Sequence, residues 1–175
     1  FCATPSSATV TATADTYVDQ GSPTSVGGGS DTYIVVTSQF GSARRVFVRF
    51  DPMPTVPSRC TVTSATLKLW ADSQIAGRTL AAYRADPTVI WTEAALNWNN
   101  RPAGLGTAVP DVMPNSDQYV NWTVTDHVRS IYALGAPGNN GFMIRDQDET
   151  GSGAWQQFNS RDAFSNKPQL TVTWG

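Results

Sequence analysis

Gly141-Phe142-Met143-Ile144-Arg145-Asp146, Ala154-Trp155-Gln156-Gln157-Phe158-Asn159-Ser160-Arg161-Asp162 and Lys167-Pro168-Gln169-Leu170-Thr171-Val172-Thr173-Trp174 close the chain. Each run alternates side-chain type with period two, the repeat of a strand that buries one face. Phe142, Ile144 and Phe158 fall on one side, while Met143, Arg145, Trp155, Gln157 and Asn159 fall on the other. The same period recurs upstream. Ala8 to Ala14 alternates Thr with small apolar residues, and Thr32 to Thr37 is β-branched and aromatic. Arg44 to Asp51 sets Val46, Val48 and Phe50 against Arg45, Phe47 and Arg49. Cys60 to Asp72 is the longest alternating run, and Arg78 to Arg84, Ala108 to Met113 and Tyr119 to Val124 are further strands.

Gly- and Pro-rich clusters separate these runs, among them Gly27-Gly28-Gly29-Ser30, Pro52 to Pro57 and Gly135 to Asn140. Many short strands between such loops, with no long helical period, predict an all-β antiparallel sandwich or jelly roll, residues 1–175 forming one domain. Two short helices are expected. One is Thr92 to Leu96; the other is Asp126 to Ala133, capped by Thr125 or Asp126 and stopped by Gly135.

The 175 residues suffice for a hydrophobic core without metal or a dense disulfide scaffold. A net charge of −2, with 15% charged residues and no basic run, argues against nucleic acid. No apolar stretch approaches the roughly 20 residues that cross a bilayer. Cys2 and Cys60 are expected to form a disulfide, because a cysteine beside a chain end has little packing reason to exist. Together with the Thr, Ser, Asn and Gly content, this suits a secreted protein.

Six segments in order carry a resemblance: Ala14-Asp15-Thr16-Tyr17-Val18; Arg49-Phe50-Asp51; Ser64-Ala65-Thr66-Leu67-Lys68-Leu69; Trp91-Thr92-Glu93 with Asn97-Trp98-Asn99-Asn100-Arg101-Pro102; Val124-Thr125-Asp126-His127-Val128; and Phe158-Asn159-Ser160-Arg161-Asp162. Together they resemble the DNRLRE domain, which is similar to family 96 of the carbohydrate-binding modules and to domains attached to archaeal disaggregatases. The resemblance implies a secreted jelly-roll module, with polysaccharide binding shown or presumed for some members. The chain departs from the family pattern at Thr123, where Asp is common, and at Asp162, where Glu is common.

No catalytic constellation stands out. His127 is the single histidine, and neither a Gly-x-Ser-x-Gly elbow nor a His-Glu-x-x-His motif occurs. Asp146, Asp148 and Thr150 present oxygens at alternate positions before Gly151, as in the first half of a calcium loop, but the twelfth position is Gln157 rather than a bidentate acid. Calcium is therefore a candidate cofactor against a solvated acidic turn.

A glycan face needs aromatic and planar polar groups. Arg45, Arg49, Arg145, Trp155 and Gln157 are the candidate ligand residues, with Phe47, Lys68 and Trp70 on the same alternation. The bland alternative is a face covered by loops, with Arg49 and Arg161 held by Asp51 and Asp162. Trp91, Glu93, Asn97, Trp98 and Asn99 read as a structural corner. Asn121-Trp122-Thr123 is a glycosylation sequon within a strand. The expected function is a secreted, non-catalytic module binding a neutral or acidic polysaccharide. The alternatives are a structural or adhesive building block and, last, a polysaccharide-cleaving enzyme.

Overall fold

The period-two segments become strands throughout the computed structural model, which describes residues 1–175. The strands are β1 (Ser6–Thr11), β2 (Ala14–Asp19), β3 (Tyr33–Gln39), β4 (Arg44–Arg49), β5 (Val62–Ser73), β6 (Thr79–Ala85), β7 (Gly104–Val112), β8 (Gln118–Thr123), β9 (Phe142–Asp146), β10 (Ser152–Asn159) and β11 (Gln169–Trp174). One layer runs β1-β11-β5-β10-β3, with β8 also paired to β5; the other holds β4-β9-β6-β7, with β2 beside β4. The Thr37↔Arg44 pair of the β3–β4 hairpin joins the layers. The chain is thus an antiparallel β-sandwich.

Alternation decides what lies between the layers. Val46 and Val48 of β4, Leu67 and Leu69 of β5, Phe142 and Ile144 of β9, Phe158 of β10 and Leu170 of β11 all enter one buried cluster. Trp122 meets Phe158 edge-on at 6.2 Å, and its Nε1 donates to Leu80 O at 3.1 Å, so the indole spans both layers with its polar atom satisfied.

A second, smaller core lies on the outer side of the β2/β4/β9 layer. The segment between β6 and β7 folds back, setting Trp91 and Leu96 against Ala14, Val18, Phe47, Ala85 and Met143. This corrects the expectation of an open face there: Phe47 and Met143 are buried. The cause is the connecting segment itself, whose Trp91 and Leu96 are stabilised by leaving water and drag the loop across the sheet.

The expected helix at Thr92–Leu96 is a single turn, closed by Leu96 N–H to Thr92 O at 3.0 Å. Reciprocal backbone–side-chain bonds between Asn97 and Asn100, at 2.8 and 3.0 Å, then redirect the chain. The later helix, α1, spans Thr125–Leu134 and meets Gly135 at its end, but its N-cap is Val124, with no side-chain cap. Thr125 is already the first helical residue rather than the cap, and its Oγ1 instead accepts Ala65 N–H at 3.0 Å. A short 3-10 turn, Ala136–Gly138, follows. Cys2 and Cys60 form the expected disulfide across a separation of 58 residues. No helix is long and apolar enough to cross a membrane.

Candidate functional site

Three of the sequence segments quoted for the resemblance meet at one end of the sandwich. Arg161, just past β10, forms a fork with Glu93, Nε to Oε1 at 2.5 Å and Nη2 to Oε2 at 2.7 Å. Glu93 also accepts the Asp15 N–H at 2.7 Å, and Asp15 Oδ2 accepts the Arg161 N–H at 2.7 Å. Burial would push Glu93 up, but the Arg161 guanidinium and the Asp15 N–H outweigh it and hold the carboxyl below its ordinary range. Burial pushes Asp15 the other way, to about 7, with repulsion from Glu93 adding to it and the Arg161 N–H opposing it. Asp162, the expected partner of Arg161, is only a distant one at 3.7 Å. Arg49 bonds the Trp91 carbonyl at 2.8 Å and stacks on its ring at 4.6 Å, not on Asp51. This end is a fold-locking corner.

Arg45 and Arg145 are brought together and share one acid. Glu149 accepts Arg45 Nη2 at 2.9 Å and Arg145 Nη1 at 2.6 Å. Burial would lower Arg145, but the Glu149 carboxylate outweighs it and raises the guanidinium. Trp98 lies under two guanidinium carbons, Arg45 at 4.8 Å and Arg101 at 3.9 Å. Exposed Phe40 from the β3–β4 turn borders the same shallow cleft, of about 260 Å³. The sequence places Trp98 only in a structural corner, because Arg45, which stacks on it, lies far away along the chain, and it gives no role to Arg101, only three residues beyond Trp98.

The acidic turn between β9 and β10 is closed on itself. Both Asp146 oxygens bond Arg78, at 2.7 and 3.0 Å, and Oδ1 also accepts the Asp148 N–H at 2.9 Å. Asp148 Oδ1 is taken by the Thr150 hydroxyl and N–H at 2.6 and 3.0 Å, which hold its carboxyl below the usual value. These groups do not fit a calcium ion. A hard cation would have to displace a guanidinium from a buried carboxylate, and the fold gathers no trio of His, Cys, Asp or Glu able to hold a metal.

Trp155 and Gln157 lie elsewhere, on the outer side of the other layer. Trp155 is 38% exposed, with Arg44 at 5.0 Å from its ring and its Nε1 3.4 Å from Gln157 Oε1. Gln157 Nε2 reaches Asp72 Oδ2 at 3.5 Å. On the same side of β5, Trp70 pairs with Tyr119 of β8, their rings 5.2 Å apart at 83°. The result is a row of aromatic and planar polar groups across β8, β5 and β10. Trp155 is its exposed end, whereas Trp70 and Tyr119 are half-buried and the Tyr119 hydroxyl donates to the Lys167 carbonyl of the β10–β11 connection at 3.1 Å. The five sequence candidates thus divide among three places: Trp155 and Gln157 on this row, Arg45 at the cleft with Arg145 joined to it through Glu149, and Arg49 against Trp91.

The chain is thus an antiparallel β-sandwich that carries an exposed tryptophan, Trp155, on one outer face. A profile of carbohydrate-binding module family 96 matches residues 6–174, and the chain belongs to that family. No curated protein matches it individually.

Proposed function

We propose that the chain is a secreted, non-catalytic polysaccharide-recognition module, and that its binding face is the row formed by Tyr119, Trp70, Asp72, Gln157 and Trp155. The observation that carries this reading is the contrast between the two outer faces in a carbohydrate-binding family. One face is buried under Trp91 and Leu96, and the other presents Trp155 to solvent. Sugars offer C–H faces to aromatic rings and hydroxyls to amides and carboxylates, the chemistry the row supplies. Affinity-gel electrophoresis and pull-down against neutral and acidic polysaccharides test it. Retardation by at least one class is expected, with Trp155→Ala weakening it about tenfold. Wild-type mobility on every polysaccharide, or retardation unchanged in both Trp155→Ala and Trp70→Ala, sinks the proposed face.

A second reading, a structural building block, is favoured by one observation. Phe40 and Phe164 are strongly exposed at opposite ends of β3, since Ser160 N–H bonds Thr32 O before the strand and Phe40 follows it. Sedimentation equilibrium separates the two readings: a monomer at all concentrations removes the second.

A further inference from the structure

A polar cavity of about 400 Å³ lies between β7 and the start of α1, away from the row described above. Its construction starts with a register shift. Ala82 faces Val109 while Arg84 faces Leu105, so Gly106, Thr107 and Ala108 bulge out of β7 opposite Tyr83. Gly106 sits at φ 85°, and a Cβ there would lie 2.4 Å from His127 Cε1 and 2.8 Å from Nδ1. The imidazole is therefore seated on the bulge, and only 5% of His127 remains exposed.

The bulge also aims a carbonyl at that ring. Thr107 O lies 2.8 Å from His127 Nε2 and can only accept, so Nε2 carries the proton and Nδ1 carries the lone pair. No protein group bonds Nδ1. Burial, with repulsion from Arg84, holds the imidazole below its ordinary value against the Thr107 bond and Asp126, which keeps the ring neutral at neutral pH.

Arg84 lines the same cavity without an ion pair or a hydrogen bond to its guanidinium. Six other arginines (44, 45, 78, 129, 145 and 161) each have a carboxylate partner. The one acid on the lining, Asp126, is 95% exposed and turned to Arg129 at 3.2 Å. Thr107 and Thr123 add hydroxyls whose side chains bond no protein group.

We propose that this cavity is a second binding site, taking one neutral sugar residue, with a sugar hydroxyl donating to His127 Nδ1 and ring or hydroxyl oxygens accepting from Arg84. The donor set suits that class. A guanidinium beside the imidazole repels a metal ion, while a sugar ring supplies both a hydroxyl proton for the Nδ1 lone pair and acceptor oxygens for the guanidinium within a few ångströms. The site is independent of the Trp155 row, so either can fail alone.

Because His127 is the single histidine, its ring nitrogens give one unambiguous signal in long-range ¹H–¹⁵N NMR. Glucose, galactose, mannose and xylose are added in turn at neutral pH, with glucuronate and inorganic phosphate as anionic controls. At least one neutral sugar is expected to move the Nδ1 resonance saturably, while Nε2 stays protonated. Arg84→Gln should weaken that response about tenfold, and Trp155→Ala should leave it unchanged. No saturable response to any of the four sugars overturns the proposal, as does an undiminished response in Arg84→Gln. A response to phosphate or glucuronate alone also overturns it, because it would mark an anion site.

Discussion

Asp15 keeps a buried Oδ1 with no hydrogen-bond partner, although its other oxygen is bonded to the Arg161 N–H. Its folded value of about 7 lies above the ordinary 3.8, so between those limits the folded chain holds a proton that the unfolded chain has released. This group's contribution is therefore fully favourable below about pH 4 and is lost as pH rises through about 7, a span on the order of 4 kcal/mol. Asp15→Asn removes that titration. Urea unfolding across this range is expected to show a flatter pH profile for the variant, with its stability relative to wild type rising toward alkaline pH. A variant profile parallel to wild type would show that Asp15 is not the group responsible. Asp15 and Arg161 stood in the quoted segments, but their meeting with Glu93 was not legible. Hydrogen bonds across 78 and 146 residues leave no trace in local periodicity.

The strands were legible because period two is written into each of them, and β5 shows it most plainly: Ala65, Leu67, Leu69 and Ala71 are buried and Lys68, Trp70 and Asp72 are not. What the alternation could not say is which outward face remains open, since that depends on where the β6–β7 segment goes. It also could not reveal the bulge in β7, where the register, not the residue types, changes. Gly106 tests that element. Gly106→Ala forces a left-handed backbone onto a residue with a Cβ and presses that Cβ into His127, for an expected loss of about 2 to 3 kcal/mol. Gly41→Ala shares a positive φ, 71°, but meets nothing within 4 Å, so about 1 kcal/mol is expected. Urea midpoints of the two variants measure the difference; equal losses would mean that the bulge is not packed on the imidazole.

For the whole molecule, the Cys2–Cys60 bond closes the largest covalent constraint. In the chain-entropy picture its 58-residue loop contributes about 4 kcal/mol, acting mainly by restricting the unfolded chain. A Cys2→Ser/Cys60→Ser variant should therefore melt well below wild type while keeping the β-sheet circular dichroism spectrum, because β1 still pairs with β11 along Ser6↔Trp174 to Thr11↔Gln169. An unchanged melting temperature would show that the bond adds nothing. That same pairing brings both chain ends to one corner: Trp174 Nε1 reaches Thr4 O at 3.1 Å, and Gly175 exchanges backbone bonds with Thr61 at 3.1 Å. The two terminal segments thus hold each other in place, so fraying of either one loosens the other, and their amides should gain or lose exchange protection together.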